Sequence, residues 1–333
     1  MEKKCAIILA GGKGTRMKTE IPKVMCKVLF KSMVSYVIDA VREAGCEDIC
    51  VITGHMNEML EATLPNDVVT AFQAERLGTG HAVMQARSFI EEHKDCDVLI
   101  LNGDGPMIDA ETINNLYDYH KANDNSITLL TAIVENTNGI GHIKRDENGN
   151  LERIIEHKDA NDEEKKINES NAGTYWFKAE ELLYALTKIT NNNAQNEYYL
   201  TDTLTILMDK GEKAGAFVVD DCEVTLGAND RVQLNDLNTR MRKRINTKHM
   251  VNGVDIPCTD GVMIGKDVVI GNDTTILPNT IITGNTVIGT GCVIGPNTYI
   301  KDSKIGNKVV LNNIQCFDKT VEDGQSPEPF TKL

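Results

Sequence analysis

A glycine-rich turn followed by two cations is the part of this sequence whose residue types could do chemistry. The segment LAGGKGTRM follows an apolar run directly and contains Gly11, Gly12 and Gly14. The backbone amides of such a turn can approach phosphate oxygens closely, and Arg16 and Lys23 add positive charge nearby. The pattern suits a triphosphate, although a bare GGxG is about as often an ordinary strand-to-helix turn. The segment is neither a P-loop nor a dinucleotide fingerprint, because GxxxxGK[ST] and GxGxxG do not fit it.

A carboxylate closes a second apolar run further along the chain. Asp104 ends the segment DVLILNGD, which has the composition of a buried strand. Ligands of an open α/β sheet bind beyond the carboxyl ends of its strands. Asp104 is therefore placed where a ligand is expected, and a helix cap or turn residue is the alternative.

Residues 5 to about 228 supply the elements that must position these side chains. Short apolar runs such as CAIILA and DICVIT alternate with helical stretches such as VSYVIDAVREAG. This alternation predicts βαβ units around a mostly parallel sheet. A polar stretch at 229–250, with apolar residues near helical spacing, predicts a connecting helix.

A hexapeptide repeat follows and predicts a parallel β-helix at 251–333. Each repeat supplies one short strand and one turn, so that stacked coils place the repeated isoleucines in an interior column. These isoleucines are Ile264, Ile270, Ile276, Ile282, Ile288, Ile294 and Ile300. The spacing slips by one at Ile305, and the polar end that follows predicts that the β-helix frays or stops there. An uncapped end indicates self-association or a chain cut from a longer one.

Bulk properties narrow the class of protein. A length of 333 residues favours two domains, and a formal net charge of −14 excludes a nonspecific nucleic-acid binder. The nine scattered cysteines include no CxxC and read as reduced thiols. The apolar start is too short for a membrane span and resembles no export signal, so we expect no membrane partner and a cytoplasmic location.

Several motifs in order resemble the bifunctional bacterial N-acetylglucosamine-1-phosphate uridyltransferase / glucosamine-1-phosphate acetyltransferase. They are LAGGKGTRM with PKVM, Gln73, LGTGHA, NGDGPMI, NEYYLTD and Asn229, followed by the six-residue repeat. The resemblance implies an α/β fold with a Rossmann-like nucleotidyltransferase domain at 1–228, a linker helix at 229–250 and a short left-handed β-helix at 251–333. It also implies a homotrimer formed through that β-helix.

The resemblance assigns roles residue by residue. Arg16 and Lys23 are implied to be catalytic, and Asp104 and Asn229 to hold Mg²⁺, which prefers oxygen donors and keeps several waters. Nucleotide binding falls to Leu9, Ala10, Gly11, Gly12, Gly14, Lys23, Gln73, Gly78, Thr79 and Asp104. Sugar binding falls to Asn102, Gly141, Glu156, Asn171 and Asn229. Gln73, Gly78 and Thr79 would read the uracil, while Gly141 would leave room for the sugar ring.

The implied reaction joins N-acetylglucosamine 1-phosphate to UTP and releases pyrophosphate. Gly12, Asn102 and Gly105 depart from the usual residues of this uridyltransferase, and the LAGG form also occurs in glucose-1-phosphate uridylyl- and thymidylyltransferases. Those enzymes and a noncatalytic sugar-nucleotide-binding protein stay open as alternatives. The family continues through further coils that carry acetyl transfer, so we expect a truncated or naturally short form without acetyltransferase activity. The repeat region also has no histidine after His249 to act as a general base.

Overall fold

The chain forms two compact units. The computed structural model describes residues 3–135, 137 and 139–331. One unit comprises Met1–Cys26 and Met33–Arg231, and the other comprises Lys27–Ser32 and Val232–Leu333. The second unit thus includes a short hairpin from near the start of the chain.

The first unit is built on a sheet that has nine strands within the described residues. The strands up to residue 219 are β1 Lys4–Leu9, β2 Lys27–Val28, β3 Lys31–Ser32, β4 Asp48–Thr53, β5 Val69–Phe72, β6 Asp97–Asn102, β7 Ile127–Ile133, β8 His142–Arg145, β9 Leu151–Ile155, β10 Glu169–Lys178 and β11 Ala214–Val219. Strands β2 and β3 form the hairpin that belongs to the second unit. The main path of the sheet is β11-β7-β10-β6-β1-β4-β5, and β8 pairs with β10 and β9. Strands β6, β1, β4 and β5 are mutually parallel, whereas β10 runs antiparallel to both β6 and β7.

The apolar runs form central strands because helices cover both faces of the sheet. Along β1, Cys5 and Ile7 pack into one core, and Ala6 and Ile8 pack into the core on the opposite face. The helices of this unit are α1 Met33–Glu43, α2 Asn57–Glu61, α3 Thr79–Gln85, α4 Arg87–Glu92, α5 Ala110–Ala122, α6 Ala179–Leu186 and α7 Asp202–Lys210. Because both faces of the sheet are packed against apolar side chains, the central strands are held in place. The loops of the candidate site start from the ends of these strands.

The second unit contains α8 Arg231–Val251, except for its first residue, and a stack of short parallel strands. These strands are β12 Met263–Ile264, β13 Val269–Ile270, β14 Thr275–Ile276, β15 Ile281–Thr283, β16 Val287–Ile288, β17 Val293–Ile294, β18 Tyr299–Lys301, β19 Lys304–Ile305, β20 Val310–Leu311, β21 Gln315–Phe317 and β22 Thr320–Val321. They form three parallel sheets, β12-β15-β18-β21, β13-β16-β19-β22 and β14-β17-β20. The isoleucines of the repeat are buried inside, as expected for a β-helix.

The slip in spacing at Ile305 does not end the β-helix, and the last strand of the described residues, β22 Thr320–Val321, lies at the start of the polar end where the sequence predicts that the β-helix frays or stops. Ile305 pairs with Ile288 in parallel register and is buried, and β20, β21 and β22 continue the stack beyond it. The turn before β19 is one residue shorter, so the coil closes with the same register inside. Leu311, Cys316 and Val321 then fill the interior positions that isoleucine fills earlier.

The predicted fold class, a mostly parallel α/β domain followed by a parallel β-helix, is confirmed. Within the part of the chain that the structure describes, no helix combines the length and the apolar character needed to cross a membrane.

Candidate active site

One cavity lies at the carboxyl ends of β5, β4, β1 and β6, four neighbouring parallel strands. Its volume is about 270 Å³. The predicted site residues that line it are Leu9, Ala10, Gly11, Gly12, Lys23, Gln73, Gly78, Thr79, Asn102 and Asp104. They converge because parallel strands end at the same edge of a sheet, although they lie far apart in the sequence.

Lys23 gathers the two predicted metal ligands on one side of this cavity. Its ammonium donates a hydrogen bond to Asp104 Oδ2 and another, of 3.0 Å, to Asn229 Oδ1. The side chains of Lys23 and Asp104 are mostly buried, so water screens their attraction only weakly. A carboxylate oxygen and an amide oxygen therefore face one common cation.

Gly14 allows the Lys23 side chain to pack closely against the glycine-rich turn, because it has no side chain of its own. Its φ is +57°, in the left-handed region, and a Cβ at this position would lie 2.6 Å from the Lys23 Cβ. Any larger residue would push Lys23 away from Asp104. Arg16 differs, because its side chain is exposed on the single 3₁₀ turn Thr15–Met17 and is not among the cavity-lining residues. Its catalytic role stays a prediction.

The predicted base-reading residues Gln73, Gly78 and Thr79 line the same cavity. Gln73 is buried, and its Nε2 lies 3.1 Å from both Gly78 O and His81 Nδ1. The loop that carries Gly78 and Thr79 is held by the segment Asn193–Asp202, since Gly80 N donates to Tyr198 O at 2.7 Å and Leu200 N donates to Thr79 Oγ1 at 3.0 Å. The amide of Gln73 is thus fixed in one orientation.

The predicted sugar-binding residues lie around the strands β8, β9 and β10. Asn171 N donates to Gly141 O at 2.8 Å, which brings these two residues together. The register of β10 against β7 shifts between Asn171 and Tyr175, and within this irregular stretch Gly173 lies against the Asn102 side chain. Asn102, which lines the first cavity, therefore also contacts the strand that carries the predicted sugar-binding residue Asn171.

Glu156 lines a second cavity of about 180 Å³ together with Thr201, Asp159 and Asp202. Thr201 Oγ1 donates to Glu156 Oε1 at 3.0 Å. Burial raises the pKa of Glu156, although the hydrogen bond from Thr201 opposes the change. Burial and the charges of Glu156 and Asp159 raise the pKa of Asp202 to about 6. This cavity is rich in acceptors and repels anions, so it suits hydroxyl and amide donors and disfavours a phosphate.

Comparison with known proteins decides the family. Residues 5–227 match the nucleotidyl transferase family, and residues 267–302 match the bacterial transferase hexapeptide family of six repeats. The bifunctional protein GlmU of Caldanaerobacter subterraneus is 48% identical over 333 residues, covering 100% of this chain and 72% of that protein. GlmU of Clostridioides difficile is 45% identical over 328 residues, covering 98% of this chain and 71% of the relative. This chain belongs to the GlmU family. It is a sugar-phosphate nucleotidyltransferase, and the family and enzyme class predicted from the sequence are confirmed.

Nucleotidyl transferases use a divalent metal ion, and the residues of this GlmU family member fit one. Among the described residues, no cluster of three or more His, Cys, Asp and Glu side chains could hold a metal. Asp104 and Asn229 nevertheless direct two oxygens at one cation, the Lys23 ammonium. Magnesium is commonly bound through one or two protein oxygens plus waters and substrate phosphates, so a pair of this kind is sufficient.

Sequence reasoning missed several residues that the GlmU fold brings to the two cavities. Arg76 and Glu197 line the cavity that contains Lys23, and Thr201, Asp159 and Asp202 line the one that contains Glu156. Arg76 offered a signal, because it is a cation directly before the glycine-containing LGTGHA segment of an acidic chain. Glu197, Thr201 and Asp202 lie in the NEYYLTD motif that carries the resemblance, but no role was assigned to them, and the partner of Thr201, Glu156, is 45 residues away in the sequence.

Proposed function

We propose that this chain transfers UMP from UTP to N-acetylglucosamine 1-phosphate, with Mg²⁺ as the metal, and forms UDP-N-acetylglucosamine and pyrophosphate. The observation that carries the proposal is the convergence of Lys23, Asp104 and Asn229 beside a glycine-rich turn at the carboxyl edge of the sheet. A nonreacting binding protein would have no need to gather a cation and two metal-type oxygens at the place where a triphosphate fits.

The two cavities support an orientation for the substrates. The nucleotide cavity contains Lys23 and Arg76 and suits the phosphates of UTP. The acidic cavity of Glu156, Asp159 and Asp202 suits the hydroxyl and acetamido donors of a sugar. A sugar 1-phosphate would therefore place its ring toward Glu156 and its phosphate toward Lys23.

In the proposed reaction, an oxygen of the sugar phosphate attacks the α-phosphorus of UTP in line with the leaving group. The new O–P bond forms as the bond between the α-phosphorus and the bridging oxygen to the β-phosphate breaks, and pyrophosphate leaves. Catalysis of this kind rests on positioning and charge stabilisation. Lys23 and the amides of the glycine turn would bind the phosphate oxygens, and Gln73 would hold the base. Asp104 and Asn229 would bind Mg²⁺, which supplies Lewis-acid neutralisation of phosphate charge when it is present.

The substrate pair can be tested directly by measuring pyrophosphate release with Mg²⁺. N-acetylglucosamine 1-phosphate and glucose 1-phosphate are each presented with UTP and with dTTP. Release confined to UTP with the N-acetylated sugar is expected. A preference for glucose 1-phosphate would move the enzyme to the sister specificity, and no release from folded protein with any pair would refute uridylyl transfer.

We also propose a homotrimer assembled through the β-helix. Outward-facing valines support it, because Val269 and Val287 are exposed on one sheet and Val293 and Val310 on another. Light scattering after size-exclusion chromatography should give three times the chain mass. The expectation that this chain has no acetyltransferase activity stays a prediction, to be checked with acetyl-CoA and glucosamine 1-phosphate.

The cysteines support a reducing location. All nine are free thiols, and seven of them are buried. Disulfides are rare in the cytosol, so we propose that the chain works in the cytoplasm.

A further inference from the structure

Two histidines outside the proposed chemistry lie next to the sugar-binding residues. His142 directly follows Gly141, and His157 directly follows Glu156. His142 Nε2 lies 3.1 Å from His157 Nδ1, and the ring centroids are 5.4 Å apart. The immediate chain neighbours of two sugar-binding residues are therefore in direct contact.

Backbone hydrogen bonds between β8 and β9 do not reach Gly141 and Glu156. The last pair of the β8–β9 ladder is His142 with Ile155, so Gly141 and Glu156 lie one residue beyond it. There the chains separate, because Gly141 O accepts from Asn171 N and Glu156 O accepts from the amides of a following turn. The histidine pair spans the point at which the two strands part.

Hydrogen-bond partners determine which nitrogen donates. His142 Nδ1 lies 3.1 Å from Ile167 O, and a carbonyl can only accept, so Nδ1 carries the proton. In the neutral ring, Nε2 is then the acceptor, and His157 Nδ1–H is the donor. Burial, and then the charge of Lys165, lower the pKa of His157, which favours its neutral ring.

We propose that the His142–His157 hydrogen bond positions Gly141 and Glu156 for the sugar phosphate, so that both histidines are positioning residues of the transfer reaction. This inference rests on the proposed function, because it takes Gly141 and Glu156 as sugar-binding residues. His142 is fully buried, and its ring is fixed from both sides by Ile167 and His157. Loss of the donor lets the turn that carries Glu156 move relative to Gly141.

The test compares two substitutions at one position. His157→Leu removes the donor, whereas His157→Asn keeps an N–H near the place of Nδ1. His93→Leu is the control for loss of a partly buried imidazole elsewhere in the first unit, because His93 contacts Phe89 O at 2.7 Å and Asp48 Oδ2 at 3.2 Å, which both lie outside the strands around the predicted sugar-binding residues. We expect His157→Leu to raise the KM for N-acetylglucosamine 1-phosphate about fivefold, which matches the ~1 kcal/mol net contribution of one hydrogen bond. The KM for UTP should stay within about twofold, and His157→Asn should recover most of the loss.

An unchanged KM for the sugar phosphate in His157→Leu would overturn the proposal. So would an equal rise in the KM for UTP, or a selective rise that His157→Asn fails to recover. Long-range ¹H–¹⁵N spectra of the imidazoles test the pair without substrate, and a proton on Nε2 of His142 would also overturn it. Wild-type protein that releases no pyrophosphate would refute the proposed function instead, while those spectra would still report on the pair. If His157→Leu does not fold, the spectra and the His157→Asn kinetics decide.

Discussion

Replacement of Gly78 by alanine should disturb both sides of the active site at once. Gly78 has φ +107° and ψ 175°, a conformation that is essentially confined to glycine, and strain there amounts to about 1–3 kcal/mol. An alanine Cβ would also lie 2.5 Å from Tyr198 O and 2.8 Å from Tyr198 N. Overpacking adds about 1–3 kcal/mol, because both contacts are with backbone that cannot rotate away. The two effects together give a loss of stability of about 4 kcal/mol.

Thermal unfolding and steady-state kinetics measure this effect. A loss of about 4 kcal/mol corresponds to a fall in the Tm of the first unit of about 10 °C. The KM values for UTP and for the sugar phosphate should both rise, since Tyr198 bonds the loop of the predicted base-reading residues through Gly80 N, and Thr201, three residues further on, donates to Glu156. Gly12→Ala is the matched control, because its Cβ would meet no atom within 4 Å in the same cavity, and its Tm should be unchanged. A Gly78→Ala protein with the Tm and both KM values of the wild type would refute the reasoning.

Three further predictions concern charged groups. Lys23→Met should abolish most uridylyl transfer. It should also tighten the binding of Mn²⁺ to nucleotide-free protein about tenfold, because the ammonium no longer competes with the metal for Asp104. A calorimetric titration that shows weaker metal binding would contradict this. Burial acts to raise the pKa of Asp97, but hydrogen bonds and charges from His120 and Lys121 outweigh it and lower the pKa to about 2. The ionised carboxylate therefore stabilises the fold by about 2 kcal/mol above pH ~4. In denaturant titrations, Asp97→Asn should lose this stabilisation at pH 7 but not at about pH 2. The Asp202 carboxylate destabilises the fold at pH 7, since its pKa is raised to about 6. Asp202→Asn should therefore increase the Tm at pH 7, and the gain should vanish near pH 4. Equal gains at both pH values would exclude this cause.

The sequence predicts the architecture because its signals are periodic or local. Isoleucine at every sixth position defines the β-helix, since each coil repeats the same interior site. The slip at Ile305 is ambiguous by itself, because a change of spacing has two physical outcomes, an end of the stack or a shorter turn. The buried residues that follow, such as Leu311, decide for the shorter turn, and they do not continue the isoleucine pattern.

The candidate site is predictable where its residues lie at strand ends. Lys23 and Asp104 stand beside a glycine turn and after an apolar strand, so their types and positions point to them. Thr201 and the His142–His157 pair depend on how a turn folds back across other strands, and residue spacing does not encode that approach. Arg16 shows the reverse case, because its charge and proximity in sequence favour a role, while the 3₁₀ turn leaves its side chain exposed.

The segment Asn193–Asp202 has a consequence for how specificity can evolve. Within four residues, Tyr198 and Leu200 hold the loop that carries Gly78, and Thr201 holds Glu156. If the loop reads the base and Glu156 faces the sugar, as proposed, a mutation that shifts this segment to admit another base will also shift the Glu156 carboxylate. The proposed site thus couples the choice of base to the choice of sugar through one segment of the chain. A directed-evolution library that seeks a new donor nucleotide will recover active clones more readily when it varies the neighbourhood of Glu156 in the same round.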